Sequence, residues 1–157
     1  MLEFTMETNV KDSQSPPILL GRALKLWFKK RVIFPKDLIG SVIQEEEQYK
    51  IFRKIVVLQK DNQPRKPRAL FKVKFQFEKF SFGTNRWLSL FPIPFIIAQP
   101  GFISKTWFVG NKTGCFQGLY EWESLQTAEN YVNSFPLKLM KKRARPDSLS
   151  IEIAEVD

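Results

Sequence analysis

The chain of 157 residues contains no histidine. That absence removes His-based metal centres, Ser-His and Cys-His nucleophilic machinery and a histidine-ligated haem together. A single cysteine, Cys115, allows no internal disulfide, which fits a reducing compartment. No apolar stretch is long enough to cross a bilayer, because Arg22, Lys25, Lys29, Lys30 and Arg31 interrupt the densest one, and no signal peptide is visible. These features together read as a cytoplasmic protein, with a membrane-peripheral location as the variant. A carboxylate-only site for magnesium or calcium is what the composition leaves open. Against it, the consecutive Glu45, Glu46 and Glu47 would point in different directions on a helix.

What is present is apolar and basic. A hydrophobic content of 43% suffices for a core in a chain of this length. The net charge of +9 is uneven: residues 1 to 80 carry 17 Lys/Arg against 9 Asp/Glu, and residues 81 to 157 carry 8 against 7. The basic half suits anionic lipid or nucleic acid, or simply a well-solvated surface. A second basic tract, Lys138 to Arg145, comes with no nucleic-acid motif, so nucleic acid is not the expected partner.

Residues 1 to 17 are polar and end in Ser15-Pro16-Pro17, the pattern of a mobile lead-in. Leu20, Ala23, Leu24, Trp27 and Phe28 then recur at helical spacing, with Arg22, Lys25 and Lys29 together on another side. Such a stripe ordinarily packs on the rest of its own protein; docking of residues 18 to 34 on an anionic membrane surface is the other reading. Asp37 caps an expected second helix through Leu38, Val42, Ile43 and the glutamates. Lys54 to Gln59 suits a strand, and Lys60 to Pro67 is a charged, proline-punctuated break. The expected organisation is therefore a basic, largely helical extension over residues 1–67 and an α+β domain over 68–157.

Within that domain Ala69, Phe71, Val73, Phe75 and Phe77 alternate with more polar residues, a strand with one apolar face. A short helix within Asn85 to Ile97 precedes a kinked passage at Pro92 and Pro94. Pro100-Gly101 opens a strand, Asn111 to Gly114 makes a hairpin turn, and Cys115 to Glu123 returns antiparallel. Ser124 caps a helix from Leu125 to Phe135, and Leu149, Ile151 and Ile153 close the chain as a strand. The order βαββαβ is ferredoxin-like. Aromatic residues expected on the face without helices mark that face as an interface.

Gln99-Pro100-Gly101-Phe102, Lys105 and Trp107 on the strand that follows, Gly118-Leu119-Tyr120 on the next, and Ala128 with Tyr131 beyond it resemble the YdhR-like monooxygenases of the dimeric α+β-barrel superfamily, which also holds the antibiotic-biosynthesis monooxygenases. The resemblance spans residues 68 to 157 and leaves the first 67 unaccounted for. It implies a homodimer joined through the open sheet faces, with a pocket for a small aromatic or lipophilic molecule. It further implies oxygenation of that molecule without metal or flavin; the haem-degrading branch of the superfamily uses a histidine that this chain lacks. A non-catalytic ligand-binding or membrane-surface protein on the same scaffold is the alternative.

On that basis Lys105 and Tyr120 are the candidate catalytic residues, and Trp107, Trp122 and Asn85 the candidate substrate-binding ones. No cofactor and no metal are expected. Lys105 offers a cation to a phenolate or carboxylate, or else it is a rim residue with its head in water. Trp107 and Trp122 suit a plain aromatic core or interface better than substrate stacking, Tyr120 also suits a hydroxyl bonded to backbone, and Asn85 suits a helix cap. The substrate, and which strand faces line the pocket, do not follow from the sequence.

Overall fold

The computed structural model describes residues 14–157; the polar lead-in lies, up to residue 13, outside the described residues. In chain order the elements are α1 (Pro16–Phe28), β1 (Val32–Ile33), β2 (Val42–Gln44), β3 (Gln48–Val57), β4 (Ala69–Phe75), α2 (Phe82–Leu88), α3 (Ile93–Ile97), β5 (Phe102–Gly110), β6 (Phe116–Trp122), α4 (Leu125–Asn130), α5 (Phe135–Arg143) and β7 (Ser150–Glu155). All strands form one antiparallel sheet in the order β1-β3-β5-β6-β4-β7, with β2 added on β3. The stretch β5-β6-β4-β7 is the ferredoxin-like arrangement expected from residue 68 onward.

Alternation in β4 is complete: Ala69, Phe71, Val73 and Phe75 are buried, and the residues between them are half-buried. Strand register puts Trp107 opposite Gly118 and Lys105 opposite Tyr120, so these side chains share the face of Phe71 and Val73. The helices cover that face. Leu19 and Ala23 of α1, Ile96 and Ile97 of α3, Ala128 and Tyr131 after β6, and Leu137 of α5 complete the core there. Ser81, Ser124 and Ser134 each accept a hydrogen bond from a first-turn amide, of Thr84, Thr127 and Leu137, and so set where α2, α4 and α5 begin. Because Pro136 stands in the first turn of α5, where its missing N–H is no loss, it starts a second helix beyond a short 3-10 turn at Tyr131–Asn133.

Three expectations about the first 67 residues need correction. From residue 14 to 67 the segment is not largely helical, since among these described residues α1 is the one helix and β3 runs for 10 residues. Asp37 starts no helix: β2 and β3 form a hairpin, with Ile43 opposite Tyr49. The break at Lys60 to Pro67 does not separate two structural units either, because β3 pairs along most of β5. The physical reason is the β-branched, aromatic-rich run Tyr49 to Val57, whose buried side chains complete the sheet edge that β5 would otherwise leave open.

The face away from the helices is also unlike its expectation. It carries Lys54, Ser104, Thr106, Lys72 and Glu121 by register, with a small apolar cluster of Tyr49, Ile51 and Phe108 at one end. The β2–β3 hairpin folds over that end. Glu45 takes an ion pair from Lys72 at 2.9 Å and a closer one from Lys74, while Glu46 accepts from Lys74 at 2.9 Å and from the Tyr49 hydroxyl at 2.6 Å. Glu47 turns the other way. Its carboxylate accepts from the backbone N–H of Lys112 at 2.8 Å and the hydroxyl of Thr113, pinning the β5–β6 turn. Among the described residues no helix is long and apolar enough to cross a membrane.

Candidate functional site

A cavity of about 320 Å³ lies between the centre of the sheet and the helices packed on it. Its floor is built by Val73 and Phe75 of β4, Lys105 and Trp107 of β5, and Phe116, Gly118 and Tyr120 of β6. Its roof comes from α2, the turn into α3, Tyr131 and α5. The pocket is therefore inside one chain, under its own helices. The expectation of a cavity enclosed between two open sheet faces is corrected on this point: the strand positions holding the aromatic residues are those that face the helices.

Lys105 is 8% exposed. Its Nζ lies 4.4 Å from the ring centre of Trp107 and 4.5 Å from that of Tyr120. Among the described residues no hydrogen bond or ion pair reaches this amine. Burial, assisted by the Arg53 guanidinium, pulls its pKa well below that of an ordinary lysine. The two rings stabilise a cation through their faces but replace only part of the lost hydration.

Gly118 makes this arrangement possible. A Cβ at that position would meet Tyr120 Cε2 at 2.9 Å and Val73 Cγ1 at 3.3 Å. Tyr131 donates its hydroxyl hydrogen bond to Tyr120 Oη at 3.2 Å, and burial pushes both phenols up. Both are thus neutral donors near neutral pH. Arg53, in the neighbouring strand opposite Trp107, donates to Ser89 Oγ at 2.7 Å and to the Arg86 carbonyl at 3.0 Å. Burial and the nearby Arg86 bring its pKa down to about 10, so it stays a cation. At the far wall Arg143 lies over the Phe77 ring at 4.5 Å. Among the described residues the cavity wall contains Lys105, Lys142 and Arg143 and no carboxylate.

The residues singled out from the sequence separate into two groups. Lys105, Trp107 and Tyr120 meet at the cavity floor. Trp122 is fully buried behind Tyr120, against Phe102 and Tyr131, and is not part of the wall. Asn85 also stands outside it. It is not a cap, because α2 begins at Phe82; its amide donates to the carbonyls of Lys79 and Phe80, and its Oδ1 accepts from Arg143 Nη2 at 2.6 Å. Asn85 therefore bears on the cavity only by fixing Arg143. Tyr131, which carries part of the resemblance, joins the cavity as well, and Arg53 reaches its edge from β3, a strand whose pairing with β5 no local sequence pattern announces.

No family model matches the chain, and no curated protein matches it. Solved structures do share its fold. A monooxygenase-like protein from Listeria innocua superposes with a TM-score of 0.53 at 12% identity, covering 73% of this chain and 67% of that one. A heme-degrading enzyme from Listeria monocytogenes gives 0.53 at 9% identity, with 80% and 97% covered. An uncharacterized ferredoxin fold protein related to antibiotic biosynthesis monooxygenases, also from Listeria monocytogenes, gives 0.53 at 10%, with 80% and 92% covered.

Proposed function

From the common ferredoxin-like fold as premise, we propose that this chain is a cofactor-independent monooxygenase acting on a small acidic aromatic compound, such as a phenol with an adjacent activated methylene. The observation that carries this reading is the buried Lys105 amine, set between two aromatic faces in a cavity to which the described residues bring no carboxylate. Desolvation favours the neutral amine, and a neutral amine can take a phenolic proton. The resulting ammonium and phenolate then form an ion pair in a medium of low dielectric, where their attraction is strong. Trp107 and Tyr120 supply the flat apolar walls.

The deprotonated substrate is electron-rich enough to reduce molecular oxygen. The methylene carbon becomes a carbonyl with one oxygen atom, and the second oxygen leaves as water with the two methylene hydrogens. All four electrons come from the substrate. The reaction class is suggested by the monooxygenase-like neighbour; the residues and their roles are read from this cavity. A homodimer through the open faces would leave the cavity intact, so the proposal works in one chain or two.

Oxygen uptake with a panel of phenols, quinols and polyketide-like anthrones tests it. Turnover that disappears in Lys105→Met while that variant still folds supports the reading. Tight binding of the panel with no oxygen consumption by the wild type would make the protein a carrier of such compounds instead.

A further inference from the structure

Helix α1 has three sides instead of two. At 100° per residue, Leu19, Ala23 and Leu26 form the side that packs on the core, and Leu19 and Ala23 are buried. Leu20, Leu24, Trp27 and Phe28 form a second side, 40%, 57%, 57% and 80% exposed. Arg22, Lys25 and Lys29 form the third. The expectation that the whole stripe packs on this protein is therefore corrected: of Leu20, Ala23, Leu24, Trp27 and Phe28, only Ala23 is buried. Two turns of leucine, tryptophan and phenylalanine face outward, beside a row of cations.

The basic side continues into a groove of about 350 Å³ formed with the end of β3 and the end of α3. There Arg31, Lys60 and Arg65 join Arg22, Lys25 and Lys29, and among the described residues no acidic one lines the groove. Arg65 reaches outside it to Glu123, at 3.0 Å, and within it to the carbonyl of Phe102. Arg31 spends its Nε on the carbonyl of Leu58 at 2.9 Å. Among the described residues the other four cations make no ion pair and the buried Nε of Arg65 has no hydrogen-bond partner.

We propose that α1 lies in the surface of an anionic phospholipid bilayer, with Leu20, Leu24, Trp27 and Phe28 inserted at the head-group boundary and the neighbouring groove holding lipid phosphates. The apolar side and the basic side each need a partner, and one surface satisfies both. A nucleic acid would satisfy the cations and leave the tryptophan and phenylalanine in water. The proposal is independent of the cavity and of any oxygenation.

The test is flotation of the full chain with phosphatidylcholine vesicles and with vesicles containing about one third phosphatidylserine. Binding to the second kind alone is expected, with a blue shift of tryptophan emission that Trp27→Phe diminishes. Lys25→Glu/Lys29→Glu should weaken binding at least about tenfold, and added salt should do the same to the wild type. Leu24→Ser/Phe28→Ser changes only exposed positions, so an unchanged melting curve is expected beside lost flotation. Flotation unaffected by that pair overturns the proposal. So does equal binding to neutral vesicles, or capture of inorganic phosphate with no vesicle binding, which would make the groove a site for soluble anions. Loss of a solution dimer in the serine pair, with no flotation by the wild type, would assign this side to contact between copies and overturn it equally.

Discussion

Lys105 lies against Gly118: a methyl group on that glycine would stand 3.1 Å from Lys105 Cε. The two residues are on adjacent strands and differ by two positions in register, since Lys105 is opposite Tyr120 and Gly118 opposite Trp107. The missing side chain of one is the space occupied by the other. The geometry of the cavity floor therefore depends on a residue that has no functional group at all.

Gly118→Ala should accordingly displace Tyr120 and Lys105 together. Both are buried and cannot swing into solvent, so the expected cost is about 1–3 kcal/mol of stability. Affinity for a phenolic ligand should fall at least about tenfold, a loss of about 1.4 kcal/mol. Urea denaturation and fluorescence titration measure the two effects separately.

Lys105→Met should stabilise the protein at neutral pH while removing ligand binding. Burial lowers the folded pKa of this lysine, whereas the unfolded chain holds the ordinary value of about 10.4. Below the folded pKa both states are protonated and the folded state carries the full cost of a buried cation. Between the two values the unfolded chain binds the extra proton, so wild-type stability rises with pH. The variant lacks that slope. Melting curves across this window check the sign, at roughly 2–4 °C per kcal/mol for a domain of this length.

Tyr120 and Tyr131 should show coupling. Tyr120→Phe strands the buried Tyr131 hydroxyl, whose one partner among the described residues is Tyr120, at an expected cost of about 1–3 kcal/mol. The double phenylalanine variant removes both polar groups and should cost less than the sum of the single changes. A double-mutant cycle by chemical denaturation gives the number; strict additivity would show that the two hydroxyls act independently.

The β2–β3 hairpin should open in acid. Hydrogen bonds from Tyr49 and Lys74 bring the Glu46 pKa down to about 2, and those from Lys74 and Lys72 lower that of Glu45 against the upward push of burial. Folded values below the unfolded ones mean stability that is complete above the ordinary carboxylate range and lost as pH falls through it toward about 2. Amide exchange at residues 42 to 50 should accelerate in that window before the rest of the sheet responds. Glu46→Gln should remove part of the pH dependence.

Much of the fold was legible in the amino-acid order, for reasons specific to each element. The alternation Ala69 to Phe77 has period two and admits one answer, and Ser124 and Ser134 announce helix starts through their hydroxyls. Glu45 to Glu47 misled because a run of charged residues is compatible with a helix or a hairpin turn. What decided was their partners: Lys72 and Lys74 lie about 27 residues away and Thr113 lies 66 away. Lys105, Trp107 and Tyr120 could be grouped on one strand face, yet nothing local said whether that face met helices, water or a second chain.

Composition and local pattern by themselves determined the excluded chemistries and the βαββαβ succession, because both depend on residue type and near-neighbour spacing. Tertiary structure alone decided that β3 extends the sheet and that the cavity opens beneath the helices. It alone also left Trp27 and Phe28 outside the core. Each of these is fixed by which surfaces find one another across long sequence separations, and burial free energy depends on that final pairing and not on the order in which the residues are written.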